Sequence, residues 1–179
     1  MVTAACVGGL LLGAVGCTAA PTPAPRSATP TVASIFASDE EALAAATEAY
    51  ANYQEMSDQI ESEGGVAPER IEPFVSSHFF PSALTQSEGF LEAGARSIGS
   101  TTFRVDAVQH MDYADPAAIN ISLYICDDVS GVDVVDEAGA SLVSETRLSV
   151  TPFEVGFALT PDGTLVVDSR DLWTGSPYC

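Results

Sequence analysis

The sequence predicts an α+β domain in which N-terminal helices pack against a curved antiparallel sheet. Two observations predict this class. Apolar residues recur every three or four positions between residues 38 and 95, as they do on one face of a helix. After Arg96 they recur every second position, as they do on one face of a strand. Helices followed by strands, rather than alternating with them, are typical of an antiparallel α+β fold.

Composition and charge limit the classes of function. The chain has 179 residues, of which 46% are hydrophobic, and 25 acidic against 6 basic side chains give a formal net charge of −19. All six basic residues are arginines, so chemistry that needs a Schiff-base or P-loop lysine is excluded. A surface this negative repels phosphate backbones, and we therefore expect no nucleic-acid partner.

The first segment is interpreted as an export signal. Residues 2–16 are apolar or small and form too short a stretch to cross a bilayer, which needs about 20 apolar residues. We interpret residues 1–16 as a secretory signal peptide. The stretch ends in Ala14-Val15-Gly16-Cys17, which resembles the lipobox of bacterial lipoproteins. This resemblance implies that Cys17 carries lipid and begins the mature chain. The alternative is a plain signal peptide with an unmodified Cys17.

Residues 17–37 are interpreted as the lipidated cysteine and a tether. The segment holds four prolines among Ala, Ser and Thr residues, a composition that buries no core and favours extended polyproline geometry. Two or more acyl chains hold a protein stably on a membrane. We therefore expect an extracytoplasmic protein anchored to the outer face of the cell membrane, with its folded domain at residues 38–179.

Two cysteines remain after Cys6 is assigned to the signal peptide and Cys17 to lipid. Cys126 lies in a predicted strand and Cys179 is the last residue. Disulfides persist outside the cytoplasm, so the pair predicts a bridge that fixes the C-terminus. The alternative is a pair of catalytic or metal-ligating thiols, which a CxxC motif would favour and which this chain lacks.

The helical region begins with a long amphipathic helix. Ser38 and Glu41 have the spacing of a capping box, one apolar and aromatic face extends to Ile60, and Gly64-Gly65 ends the helix. Two shorter helices are predicted after it, at 68–77 and 82–95.

The strand region begins with Phe103, Val105 and Ala107 on one predicted buried face, followed by a strand at 119–125. We expect residues 132–135 to extend that second strand past a kink at Ser130-Gly131. Side-chain parity changes at Thr151-Pro152, which predicts a bulge there and an edge or an unpaired backbone nitrogen. The final strand is predicted from Leu165 toward Trp173, after a turn at 161–163.

The order of elements resembles the nuclear transport factor 2-like superfamily, whose cone-shaped fold is shared by ketosteroid isomerases and SnoaL-type cyclases. Within it, the chain is most similar to secreted lipoproteins of high-GC Gram-positive bacteria. The segments that carry this resemblance are Glu40–Ile60, Gly64–Arg70, Ile125–Asp128 and Trp173–Cys179. In such lipoproteins a strand cysteine pairs with a C-terminal one, and Cys126 and Cys179 match those positions.

The resemblance implies a place for a small apolar ligand, between the long helix and the sheet. The residues expected to line this pocket are Tyr50, Tyr53, Phe103, Leu123, Phe157 and Trp173. Enzymes of the superfamily place a carboxylate or histidine in the cone, with a tyrosine that stabilises an enolate. The alternative for Tyr50 and Tyr53 is core packing. Asp106 and His110 lie opposite the apolar positions of their strand, so we expect them to face water or a partner.

No catalytic or metal signature accompanies the fold. The acidic residues of 127–137 lack the spacing of a calcium loop, and a solvated turn is the favoured interpretation. We therefore expect no metal, no cofactor and no catalytic residue. The sequence favours a non-catalytic lipoprotein that binds a small apolar ligand or an envelope protein. The alternatives are a cone-type isomerase or cyclase, and a structural envelope component that forms a homodimer.

Overall fold

The computed structural model describes residues 1–3, 34–176 and 178–179. All of the described helices and strands lie in one compact unit, Val32–Cys179. Cys17, most of the predicted signal peptide and most of the predicted tether lie outside the described residues. Within the described part of the chain, no helix combines the length and the apolar character that a membrane span requires.

The long helix α1 comprises Asp39–Ser62. Its N-cap is Ser38, whose hydroxyl accepts a hydrogen bond from the Glu41 backbone N–H at 3.3 Å. The Glu41 carboxylate accepts from the Ala37 N–H at 2.7 Å, one residue before the position that a capping box uses. Gly65 follows the helix with φ of +77°, a conformation that favours glycine.

Two shorter helices follow α1. A 3-10 helix comprises Pro68–Phe74, and helix α2 comprises Phe80–Ala93. The predicted second helix therefore ends three residues too late, and the predicted third helix starts and ends two residues too late. Pro81 occupies the first turn of α2. Backbone N–H groups in a first turn have no intrahelical acceptor, so the absence of an N–H in proline costs no helical hydrogen bond there.

The strands form two antiparallel sheets, which confirms the α+β class. The larger sheet has the order β2-β3-β5-β6 and the smaller one pairs β1 with β4. The strands are β1 (Arg96–Ile98), β2 (Thr102–Asp112), β3 (Asn120–Asp128), β4 (Asp133–Val135), β5 (Val150–Leu159) and β6 (Leu165–Leu172). The prediction that residues 132–135 extend β3 is wrong, because Val134 pairs with Ser97 of β1 after the chain turns away from the larger sheet.

The four-stranded sheet curves over α1, as in a cone-like arrangement. Its register shifts twice in β2, after Val105 and after Val108, and such bulges bend a strand and increase its twist. The first shift makes the prediction for Ala107 wrong. Ala107 pairs with Tyr124 on the outer face and is exposed, whereas Phe103 and Val105 face the core.

No bulge occurs at Thr151-Pro152, where one was predicted. The register of β5 with β3 is unbroken from Val150 to Phe157. The Pro152 carbonyl accepts a hydrogen bond from the Trp173 N–H at 3.0 Å. Trp173 lies just past the end of β6, and the pairing of β5 with β6 begins at Phe153. Pro152 therefore lies outside that ladder, where its nitrogen needs no partner. The bulge in this part of the sheet lies instead between β5 and β6, after Gly156.

A disulfide joins Cys126 of β3 to Cys179, as predicted. It fixes the C-terminal segment against the outer face of the sheet. The Tyr178 hydroxyl donates to the Phe153 carbonyl at 2.6 Å, and the Tyr178 ring lies 5.0 Å from that of Tyr124.

Candidate functional site

A tyrosine, a carboxylate and a guanidinium meet beneath the sheet. Tyr50 donates its hydroxyl proton to the carboxylate of Asp127, with oxygen–oxygen distances of 2.9 and 2.8 Å. Arg170 donates from Nη2 to Asp127 Oδ2 at 2.6 Å and from Nε to the Tyr50 oxygen at 3.1 Å. The Asp127 side chain is 2% exposed and that of Arg170 is 16% exposed. Both charges therefore have the partners that burial requires.

Asp127 and Arg170 reach the interior by different routes. Asp127 continues the alternation of buried residues along β3, so its carboxylate points inward. In β6, Val167 pairs with Phe157 and Arg170 pairs with Val155, so β6 has one residue more than β5 between these pairs. Because of this bulge, Val167 and Arg170 both face inward although their numbers differ in parity.

Burial sets the ionisation of this cluster. It raises the pKa of Tyr50 well above the ordinary value, and that of Tyr53 is also raised by burial. Burial alone would lower the pKa of Arg170, but Tyr50, Tyr53 and Asp127 raise it above its ordinary value. Tyr50 is therefore neutral and Arg170 charged at neutral pH. The one hydroxyl proton of Tyr50 is already donated to Asp127.

A polar cavity of about 150 Å³ lies beside the cluster. Helix α1 contributes Gln54, Ser57, Asp58 and Glu61, which share one face because they are three or four residues apart. Gln86 of α2, Thr101 before β2, and Asp127 and Arg170 of the sheet line the remaining wall together with three further residues of the sheet side. The cavity therefore presents carboxylates, amides and hydroxyls, with one guanidinium.

The carboxylates of α1 have neutral hydrogen-bond partners. Asp58 accepts from the backbone N–H and the hydroxyl of Thr101 at 2.8 and 2.9 Å. Glu61 accepts from the side-chain amide of Gln86 at 3.0 Å. Burial raises the pKa of both carboxyl groups, because these neutral partners compensate only part of the lost hydration.

Gln54 also lines the cavity, and its residue is 8% exposed. Among the described residues, the buried side-chain polar atom that lacks a hydrogen-bond partner is the hydroxyl oxygen of Ser97. Gln54, Asp58 and Thr101 also line an open groove of about 460 Å³ on the neighbouring surface of α1. The cavity and the groove thus share three polar residues.

The structure brings together five of the six residues predicted to line an apolar pocket. Tyr50, Tyr53, Leu123 and Phe157 belong to one core cluster, and the partly buried Phe103 packs against it. The rings of Tyr50 and Phe103 are 4.9 Å apart, and Tyr50, Tyr53 and Leu123 are each at most 1% exposed. These side chains pack against one another as core residues.

Trp173 does not join the core cluster. Trp173 follows β6 and lies opposite Pro152, which pairs with Cys126 on the outer face of the sheet. The centres of the Trp173 and Tyr124 rings are 5.0 Å apart, so Trp173 packs on that outer face. Asp106 and His110 are exposed, as expected. His110 pairs with Ser122 on the outer face of the sheet.

Sequence reasoning missed Asp127, Arg170 and Gln54. The interpretation of Asp127 as part of a solvated turn is wrong, because its side chain is buried against Tyr50. The alternation of β3, continued past Ile125, is a signal that could have placed it inward. Alternation gives no such signal for Arg170. Counted from the inward-facing Val167, an unbroken strand would place Arg170 on the outer face, and the bulge of β6 turns it inward. Within the described residues, no group of three or more His, Cys, Asp or Glu side chains is arranged to hold a metal ion.

Comparisons with known proteins identify no family. Neither the protein-family models nor the curated proteins contain a match to this chain. Among solved structures, one from Catenulispora acidiphila aligns with 74% of this chain and 93% of its own, with 14% identity and a TM-score of 0.48. A match at this level assigns neither a family nor an activity.

Proposed function

We propose that this protein is a lipid-anchored extracytoplasmic lipoprotein whose domain, of the nuclear transport factor 2-like type, binds a small ligand without transforming it. The lipobox-like run that ends at Cys17 and the proline-rich tether support the anchor. The order of elements and the curved sheet over α1 support the superfamily. The Cys126–Cys179 disulfide agrees with an oxidising compartment.

One observation carries the binding role, namely a polar cavity beside the buried ion pair in which the carboxylates of Asp58 and Glu61 accept hydrogen bonds from neutral groups. These neutral partners compensate only part of the hydration that the carboxylates lose. A ligand that donates hydrogen bonds would supply more. The apolar ligand expected from the sequence fits less well, because five of the six residues expected to line its pocket pack in the core and the cavity walls are polar. We therefore propose a small polar ligand.

The alternative of an isomerase or cyclase rests on the convergence of Tyr50, Asp127 and Arg170. In that chemistry a tyrosine donates a hydrogen bond to the developing enolate oxygen. Here the hydroxyl of Tyr50 donates to Asp127 and accepts from Arg170 Nε, so it offers no free proton to a substrate. The cluster is better suited to fix the wall of a binding cavity than to stabilise an enolate.

Native mass spectrometry of the full chain, purified from bacterial membranes, tests the proposal. We expect one species with a lipid-modified Cys17, an intact disulfide and a small noncovalent ligand. The ligand should be lost in Gln54→Met and kept in Gln109→Met, because Gln109 lies on the outer sheet face. An unmodified Cys17 would refute the anchor. Absence of a ligand, or a ligand retained equally by both variants, would refute the binding site. A dimer without ligand would favour the structural alternative.

A further inference from the structure

We propose that the outer face of the four-stranded sheet binds an uncharged carbohydrate. This face is separated by the sheet from the polar cavity described above, so the inference goes beyond the proposed function. Two neighbouring features of the outer face support it. One is a trough lined by polar residues of all four strands, and the other is a cluster of three aromatic rings beside that trough.

The trough crosses the sheet where the outward-facing side chains are smallest. Gly156 of β5 pairs with Ser122 of β3 on one side and with Ser169 of β6 on the other. A Cβ atom at Gly156 would lie 2.7 Å from the Ser169 hydroxyl oxygen, so a larger residue would fill the floor of the trough. The trough has a volume of about 410 Å³, which is within the range of about 300–1,000 Å³ that small-molecule sites occupy.

Two β-bulges place polar side chains at opposite sides of this trough. Gln109 is the extra residue of the second bulge in β2, between Val108 and His110. Asp168 is the extra residue of the bulge in β6. Both line the trough. Bulges often re-aim a side chain next to a functional site, and here two separate bulges direct side chains to the same depression.

The polar groups of the trough can both donate and accept hydrogen bonds. The Ser122 hydroxyl donates to the side-chain oxygen of Gln109, which leaves the amide nitrogen of Gln109 to donate to a ligand. Glu154 and Asp168 provide carboxylate acceptors, and Ser169 provides a hydroxyl. Each hydroxyl of a sugar is one donor and two acceptors. A sugar ring can therefore use all of these groups together.

The aromatic cluster provides a surface for the apolar part of a sugar ring. The rings of Trp173 and Tyr178 each lie 5.0 Å from that of Tyr124, and all three side chains are partly exposed. Tyr124 pairs with Glu154 of the trough. It lies two residues from Ser122, which is about 7 Å along β3 at roughly 3.4 Å per residue. A sugar has C–H groups that pack on an aromatic ring while its hydroxyls reach polar neighbours.

Charged small ligands fit the trough less well. Phosphates and acidic polysaccharides are bound by arginine or lysine, but the chain has no lysine, and no arginine is among the described residues that line the trough. Glu154 and Asp168 would repel such anions. An ammonium has three donors and no acceptor, so it cannot accept from the amide of Gln109. The described residues also contain no group arranged to hold a metal ion.

A second copy of the chain also fits this face less well. In a symmetric dimer the same surface of both copies meets. The carboxylates of Glu154 and Asp168 in one copy would then approach those of the other, and like charges across an interface oppose association. An uncharged carbohydrate brings no such repulsion.

The test is a titration of the full chain with uncharged disaccharides. The probes are maltose, cellobiose, lactose and N,N′-diacetylchitobiose, with propylammonium, propionate and glycerol for comparison at constant ionic strength. Trp173 is the single tryptophan of the chain, so its fluorescence reports binding beside the trough. The side-chain amide resonance of Gln109, assigned by its loss in Gln109→Met, reports binding within it.

We expect at least one disaccharide to change the fluorescence of Trp173 and to shift the resonance of Gln109. Gln109→Met should weaken this binding by about three- to tenfold, the usual effect of losing one hydrogen bond. Gln59→Met, the same substitution on the exposed surface of α1, should change it less than about twofold.

Gly156→Ala tests the floor of the trough. The added methyl group should weaken binding by about tenfold or more, because it occupies the space that the sugar needs, whereas the Ser169 hydroxyl can rotate away from it. Gly131→Ala is the matched control, since a Cβ atom there would meet nothing within 4 Å. Circular dichroism verifies that each variant is folded.

Four outcomes would overturn the inference. No response to any disaccharide would refute the carbohydrate, and a response to propylammonium alone would indicate a cation instead. Equal weakening by Gln109→Met and Gln59→Met, or by Gly156→Ala and Gly131→Ala, would place the sugar elsewhere. A dimer that the trough variants dissociate, measured by analytical ultracentrifugation, would assign the face to a second copy. Gln54→Met separates this site from the cavity, because it should leave carbohydrate binding unchanged.

Discussion

At the scale of the residue, the molecule depends on one buried ion pair and its tyrosine. Asp127 and Arg170 lie 2.6 Å apart beneath the sheet, and Tyr50 bonds both. Other arginine–carboxylate pairs among the described residues, such as Arg104 with Asp106, lie at the surface. The loss of one partner should cost more free energy in the buried pair than in a surface pair. Water stabilises a surface charge that has lost its partner, but it cannot reach a buried one.

Arg170→Met should therefore lower the free energy of unfolding by about 3–5 kcal/mol, since it leaves the Asp127 carboxylate buried and unpaired. Arg104→Met removes a guanidinium of the same size from an exposed pair and should change stability by less than about 1 kcal/mol. Urea denaturation followed by circular dichroism measures both. Similar losses in the two variants would contradict the assignment of Arg170 to a buried pair.

The carboxyl group of Glu61 gives the cavity a pH dependence of known sign. Burial raises its pKa above 4.5, with a further increase from Asp58 and opposing effects of Gln86 and Arg170. The folded state therefore binds the proton more tightly than the unfolded state. Protonation favours folding below pH 4.5, and this contribution is lost as pH rises through the raised pKa of the folded state.

Glu61→Gln, which carries no charge at any pH, should stabilise the protein near pH 7, and its advantage over the native chain should shrink as pH falls toward 4.5. Urea denaturation at a series of pH values measures the difference between variant and native chain. Glu88→Gln serves as the control on the exposed surface of α2. An advantage of Glu61→Gln that stays constant with pH would show that a cause other than ionisation produces it.

At the scale of the element, the sequence predicted the helices and strands better than the sites between them. Capping at Ser38 and the glycines after α1 are local signals, so the start and end of that helix could be predicted. Bulges are not local, because they depend on the register of two strands. The first bulge in β2 made the prediction for Ala107 wrong, and the bulge in β6 is the reason that the inward orientation of Arg170 was not predicted. Arg170, one partner of the ion pair at the candidate site, could therefore not be predicted from local sequence.

The turn after α1 shows how tightly two elements are joined. Gly65 has φ of +77°, and a Cβ atom there would lie 2.2 Å from the Ser87 carbonyl oxygen of α2. Gly139 has φ of +80°, but a Cβ atom there would meet nothing within 4 Å. The two glycines thus share a backbone conformation and differ in their surroundings.

Gly139→Ala should lower the free energy of unfolding by about 1–2 kcal/mol, because alanine is strained in a left-handed backbone conformation. Gly65→Ala should lower it by that amount and by several kcal/mol more, because α2 must move away from α1 to make room for the methyl group. Thermal and urea denaturation of both variants measure the difference. Equal losses would mean that α2 moves aside freely at this contact.

At the scale of the whole molecule, the interior and the surface differ sharply in their charge balance. The buried cluster pairs its charges, whereas the chain as a whole carries 25 acidic and 6 basic side chains. Three arginine–carboxylate pairs are present among the described residues, so most of the acidic side chains have no cationic partner there. Folding brings these unpaired carboxylates closer together, and their mutual repulsion opposes the compact state.

Salt should therefore stabilise this protein at neutral pH. Raising NaCl from about 0.01 M to about 1 M shortens the screening length from about 30 Å to about 3 Å, which weakens repulsion across the surface but leaves the buried ion pair almost unaffected. Urea denaturation at pH 7 should show a free energy of unfolding that rises with salt. Near the isoelectric point of about 4.1 the repulsion is largely gone, so the same increase in salt should have a much smaller effect. An equal gain at both pH values would indicate that salt acts through apolar burial instead of charge.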